Sequence, residues 1–136
     1  EGTFSLGRVG PGRLDLDLRV DFLRGTNEDD DQPLPRISPV RFGGGVVYDA
    51  DRWNARLDVL RVQGQDRVAD VELPTDGYTM LDLTLAWRLT QGRYGMTAFL
   101  RGTNLLDEDA RNHVSFVKDI APMGKRGVTL GVRGTF

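Results

Sequence analysis

The sequence predicts an all-β protein: an antiparallel up-and-down β-barrel that crosses a membrane. Three observations carry that expectation. Long stretches alternate strictly between apolar and polar residues, and successive side chains of a strand point to opposite faces. The connections between them alternate between short and long, as the periplasmic turns and extracellular loops of membrane barrels do. The last stretch, Gly127 to Phe136, puts Val128, Leu130, Val132 and Phe136 on one side and Thr129, Gly131, Arg133 and Thr135 on the other. A closing aromatic ring suits the interfacial girdle of a barrel, whereas the termini of soluble domains usually fray into water.

Composition narrows the class. Of 136 residues, 39% are apolar and 28% charged. No run reaches the roughly 18 consecutive apolar residues of a membrane helix. Helical spans are therefore excluded, but a barrel is not, because half of each barrel strand faces a polar lumen. A formal net charge of -2 offers no electrostatic footprint for nucleic acid. Without cysteine there is no disulfide framework and no thiolate metal cage. Glu1-Gly2-Thr3-Phe4 reads as mid-strand with no signal peptide before it, so the expectation is a C-terminal piece of something longer.

Taken in order, Thr3 to Val9 reads as the end of a strand before the tight turn Gly10-Pro11-Gly12. The second strand sets Leu14, Leu16, Leu18, Val20 and Phe22 against Asp15, Asp17, Arg19 and Asp21. Its length matches the roughly 9–11 residues that cross a membrane when tilted. The acidic run from Gly25 to Pro33 reads as a solvated loop or, more sharply, a cation-attracting vestibule. The third strand, from about Pro39 to Tyr48, contains Gly43-Gly44-Gly45, which suggests curvature or close approach by another backbone. The fourth starts at Trp53 and loses its phase near Leu60-Arg61-Val62, where a bulge or strand end is expected. The fifth sets Leu81, Leu83, Leu85, Trp87 and Leu89 against Asp82, Thr84, Ala86 and Arg88. A sixth runs from about Met96 to Asn104, and a long loop from Leu105 to Arg126 leads to the last. The short turns at Gly10–Gly12, Asp49–Arg52 and Gln91–Gly95 fall on one side, and Trp53, Trp87, Tyr48 and Tyr94 gather next to them as a girdle would. Six full strands and a stub leave open edges, which lipid does not tolerate, so further strands are expected.

The run Leu100-Arg101-Gly102-Thr103-Asn104-Leu105-Leu106-Asp107 resembles the penultimate strand and "N-L-L-D" of TonB-dependent receptors. The segment from Arg111 through Ala121-Pro122 to Gly124-Lys125-Arg126 resembles their C-terminal loop, particularly in zinc- and siderophore-type importers. The final strand resembles the signal read by the barrel-assembly machinery, with Thr129, Gly131 and Phe136 as its elements and Gly134 as a departure from it. The resemblance implies the C-terminal strands of a 22-stranded barrel in the bacterial outer membrane, with a plug in its lumen. It also implies TonB-energised uptake of a metal, metal chelate or similar nutrient. The implied partners are outer-membrane lipid, the assembly machinery, the plug domain, the remaining strands and the TonB energy-coupling complex.

Candidate chemistry is sparse. His113, the sole histidine, lies near Asp107, Glu108, Asp109 and Asp119 in sequence, so it is the candidate metal ligand, or else an exposed loop residue. His113 and Ser115 invite a hydrolase reading, but no orienting group is evident, and no catalytic residue or cofactor is expected. Asp15, Asp17, Arg19, Asp82, Arg88, Arg101 and Arg133 are expected to line the lumen. The competing reading is a small autonomous β-barrel, either a soluble binder of apolar ligands or an outer-membrane hydrolase. Phe136, the loop asymmetry and the aromatic placement favour the membrane.

Overall fold

The computed structural model describes residues 1–29, 31–90 and 95–135. Seven strands follow one another: β1 (Gly2–Val9), β2 (Gly12–Asp21), β3 (Arg41–Asp49), β4 (Trp53–Val62), β5 (Tyr78–Thr90), β6 (Gly95–Thr103) and β7 (Gly127–Thr135). Each pairs antiparallel with the next in one sheet, and the described residues contain no helix. β1 and β7 form the two edges, so this sheet is an open wall rather than a closed barrel.

Period-2 alternation is kept in register across strands. Leu14, Tyr48, Ala55, Leu85, Leu100 and Leu130 stand opposite one another in turn from β2 to β7. Leu16, Val46, Leu57 and Leu83 make a neighbouring row. On the reverse face Asp15, Val47, Arg56, Thr84, Arg101 and Thr129 align. Asp17, Arg19, Asp82, Arg88 and Arg133 share that face, so the whole set expected to line a lumen is on one side. The apolar side is uncovered, with Leu18, Val20, Val59, Trp87 and Leu130 all exposed. A soluble protein rarely leaves so large a contiguous apolar surface bare.

Of the two alternatives expected near Leu60-Arg61-Val62, the strand end holds: β4 runs without a bulge and ends at Val62, paired throughout with β5, which starts at Tyr78. The phase blurs at Leu60 and Val62 because there the polar side of the sheet turns apolar. Val62, Tyr78 and Ala110 form a small buried cluster with Leu60 and Met80, while Arg61 on the other face donates to Thr79 Oγ1. The register irregularities lie instead between Ser5 and Gly7 and between Arg88 and Thr90. One expectation needs correction: Gly43 and Gly45 are approached by side chains rather than by another backbone. A Cβ on Gly43 would meet the Arg19 side chain, with its Cγ 2.6 Å away; one on Gly45 would lie 2.7 Å from Asp58 Oδ1 and 3.0 Å from Arg56 Nη2. The glycines let long charged side chains lie flat across the sheet.

At the short-turn end Tyr48 and Trp53 stack with centroids 4.5 Å apart, Trp53 stands opposite Trp87, and Tyr48 donates to the Val9 carbonyl at 2.8 Å. Tyr94, most of the Gln91–Gly95 turn and Phe136 lie outside the described residues.

Candidate functional site

Two places concentrate polar chemistry. The first is on the polar side of the sheet. There Arg56 bridges two carboxylates, donating from Nη1 to Asp17 at 2.8 Å and from Nε to Asp58 at 2.7 Å, and Thr3 donates to Asp17 at 2.8 Å. Together with Arg19, Gly43 and Gly45 these residues line a groove of about 390 Å³. The charges compensate one another in a half-exposed, water-facing surface, which suits a lumen wall better than a reaction centre.

The second place is where the three long connections meet, above the far end of the sheet. The β2–β3 loop is held to the β4–β5 loop by Arg67, which donates to the Gly25 carbonyl and Thr26 Oγ1, and by Gln65, which donates to the Ile37 carbonyl. The Arg36 amide donates to the Glu72 carboxylate, and the Arg36 guanidinium lies 3.5 Å from the centroid of Phe116 in the β6–β7 loop. All three loops therefore share contacts. Glu28, Asp29 and Asp31 of the first loop stay exposed beside this junction.

His113 sits in the junction, only 2% exposed, which overturns the expectation of an exposed loop residue. Its Nδ1 is 2.8 Å from Thr75 Oγ1 and 3.3 Å from Lys118 Nζ, and its Nε2 is 3.4 Å from Glu72 Oε1. An ammonium can only donate, so Nδ1 is the accepting nitrogen and the ring proton faces Glu72. Lys118 completes the cluster, donating to Glu72 Oε1 at 2.9 Å and to the Leu73 carbonyl at 2.7 Å. Burial and then the Lys118 charge hold the His113 pKa below its usual range, so the ring is neutral at physiological pH. Burial pushes Glu72 upward, but the hydrogen bonds from Lys118 and the Arg36 amide outweigh it and leave the carboxyl below its usual value.

The root of the β6–β7 loop is equally determined. Asn104, 1% exposed and at φ 48°, accepts the Glu108 amide on Oδ1 and donates from Nδ2 to the carbonyls of Glu108 and Gly124. Its own amide donates to Asp82. Asp107, at φ 59°, accepts the Arg126 amide at 3.0 Å, one residue before β7. Asparagine and aspartate tolerate this left-handed backbone better than other side-chain-bearing residues. Gly102 leaves space for Leu105, whose Cδ2 would lie 2.8 Å from an added Cβ. The run from Gly102 to Asp107 is thus a clamp that ties both ends of a long loop to the sheet.

Residues 3–105 match the family of TonB-dependent receptor-like β-barrels. The chain belongs to that family. Members of the TonB-dependent receptor family are outer-membrane proteins of Gram-negative bacteria. The fold also resembles the solved structure of copper transporter OprC, with a TM-score of 0.75 and 24% identity, covering 98% of this chain and 23% of that one. The chain thus spans about a quarter of the length of that structure. At this identity the likeness concerns the fold.

In outer-membrane barrels the wall strands alternate between an apolar face toward lipid and a polar face toward the lumen, the same two-faced pattern as this sheet. Of the residues singled out from sequence, Thr129 and Gly131 lie on the charged side of β7. Thr129 stands opposite Arg101, and Gly131 stands opposite Phe99, whose ring fills the space above it with Cε1 2.7 Å from where a Cβ would be. The acids near His113 in sequence do not converge on it as a set: Asp107 serves the Arg126 amide, and among the described residues no group of three or more histidine and acidic side chains gathers as for a metal. Ser115 is turned to its own loop, its Oγ accepting the Val117 amide, and the His113 ring is engaged by Thr75, Glu72 and Lys118. The geometry gives no support to a Ser–His pair. Glu72, Thr75 and Lys118 were missed by sequence reasoning. The one available signal was the turn-forming Pro74-Thr75-Asp76-Gly77, which marks a structured tip but not its partners.

Proposed function

We propose that this chain is part of the barrel wall of a TonB-dependent outer-membrane receptor that imports a metal, a metal chelate or a similar scarce nutrient. The observation that carries the reading is the seven-strand alternation in register, apolar on one face and charged on the other, in a chain whose family is shown. Two unpaired edge strands fit a wall completed by further strands, 22 in all, around a plug domain. In this reading residues 1–136 are the C-terminal portion of the barrel, and Thr129, Gly131 and Phe136 present the assembly signal. The short turns face the periplasm, the knitted loops face outward, and the Asp17–Arg56–Asp58 surface faces the plug. Energy for release comes from the TonB complex through the plug. His113 acts as a loop anchor rather than as a ligand to the cargo.

The test uses the full-length receptor in its outer membrane. Cells with and without its gene are compared for accumulation of copper, zinc and ferric chelates, in strains with and without functional TonB. The expected result is that one nutrient accumulates only when both are present. Equal accumulation of all of them in the receptor-deletion strain overturns the importer reading.

A further inference from the structure

On the lipid side of the sheet, near the short-turn end, there is a groove of about 600 Å³ lined by Trp53, Leu85, Trp87, Ala98, Leu100 and Leu130. Its shape follows from the register. Trp53 stands opposite Trp87 and Trp87 opposite Ala98, while one row up Leu85, Leu100 and Leu130 follow one another. Two indoles form one wall, three leucines form the other, and the methyl of Ala98 is too small to fill the floor between them. The volume is within the range of small-molecule sites, and the lining is apolar except at one end.

That end is Arg52, exposed in the β3–β4 turn and itself a lining residue. The other described cation at this turn is occupied, because Arg88 Nη1 donates to the carbonyls of Ala50 and Asp51. Among the described residues, Arg52 makes no side-chain ion pair. An apolar slot running along the wall and ending in an arginine at the interface has the chemistry of a phospholipid, with the acyl chain in the slot and the phosphate at the guanidinium.

We propose that this groove is a specific seat for an anionic glycerophospholipid of the periplasmic leaflet, with Ala98 setting the chain slot and Arg52 selecting the headgroup. The proposal rests on the membrane orientation proposed above. A second barrel copy is the competing occupant, and the measurement separates the two.

The full-length receptor, extracted from outer membranes in mild detergent, is examined by native mass spectrometry with phosphatidylglycerol or phosphatidylethanolamine added. The wild type should retain one lipid that Ala98→Trp does not, because the larger ring fills the slot. Arg52→Gln should keep the chain but abolish a preference for phosphatidylglycerol of about fivefold, the size expected of one basic residue at an anionic surface. Ala98→Leu, a smaller filling, is read in the same way if the tryptophan variant does not fold. Equal lipid retention by wild type and both Ala98 variants overturns the proposal, as does a loss of dimer rather than of lipid. Absence of the wild-type protein from the outer-membrane fraction would instead defeat the membrane orientation itself.

Discussion

The wall and the loop junction are held by different physics. Over most of the wall identity matters chiefly as apolar or polar, because the two faces alternate and cross-strand neighbours are supplied by register. The exceptions are glycines such as Gly43, Gly45 and Gly131, where a side chain lies across the backbone. In the junction, particular atoms matter. Glu72, Lys118, Thr75 and His113 are buried together and satisfy one another, and Asn104 and Asp107 tie the two ends of a loop together. A wall of this kind should tolerate conservative exchange and fail on a change of polarity. The junction should fail on the loss of a single hydrogen-bonding atom.

The largest expected effect is on the wall. Leu83→Arg places a guanidinium on the lipid face several residues from the tryptophan pair and should cost about 2–4 kcal/mol, the figure for arginine near the bilayer midplane. Leu85→Arg, only two residues from Trp87, should cost less, because it can reach the interface. Thr84→Arg, on the lumen side between them, should be tolerated. Urea unfolding of the full-length receptor in lipid vesicles, followed by loss of heat-modifiable mobility, gives the three values. Equal costs at Leu83 and Thr84 would contradict the assigned faces.

That graded series depends only on alternation, which is why the wall was legible from sequence alone. Leu81, Leu83 and Leu85 announce their face through their spacing, and the direction of each strand follows from loop length. Legibility stops where the sheet leaves the lipid. At Leu60 and Val62 the inner face becomes apolar to receive Ala110 from a loop about fifty residues further on, and local periodicity carries no trace of that partner. The junction was illegible for the same reason. Glu72 and Lys118 are separated by 46 residues, Thr75 and His113 by 38, and nothing local links them. His113 could be noticed only as a rare residue type. Its neighbours in sequence, Asp107 to Asp109, turned out to belong to a different part of the loop.

In the junction the next largest effect should come from Glu72→Ala. It leaves the Lys118 ammonium buried without its carboxylate, and breaking a buried pair in this way costs about 3 kcal/mol or somewhat more. Because the strands do not depend on it, the loss should appear as opening of the loops rather than unfolding of the barrel. Hydrogen exchange should therefore rise across 63–77 and 104–126 while β4 and β5 stay protected. Rising exchange in the strands as well would mean that wall and junction are one cooperative unit. Asn104→Ala should follow at about 2 kcal/mol, since it abandons the Glu108 amide and the Gly124 carbonyl and places alanine in the left-handed region. Here exchange should increase in the β6–β7 loop alone, with the β4–β5 loop unchanged.

The smallest effect is a dependence on pH, and its sign follows from two depressed pKa values. In the unfolded loop the His113 ring takes a proton near the ordinary 6.5, whereas in the junction burial and the Lys118 charge resist it. Between those values the open loop binds more protons than the closed one, so closure is favoured as pH rises. The junction should be fully closed above about pH 6.5 and should lose stability as pH falls through and below that value. Glu72 acts lower down, its contribution present above its ordinary 4.5 and lost as pH falls through its depressed folded value. The groups facing the ring from both loops are Glu72 and Thr75 on one side and Lys118 on the other, with Asp119 nearby and opposing the shift. Loop exchange in the full-length receptor, corrected for intrinsic rate, should therefore rise in two stages on acidification. His113→Gln should remove the upper stage and keep the lower one. An unchanged upper stage in that variant would place the titrating group elsewhere, and the neutral ring would then matter to the junction only through its shape and its bond to Thr75.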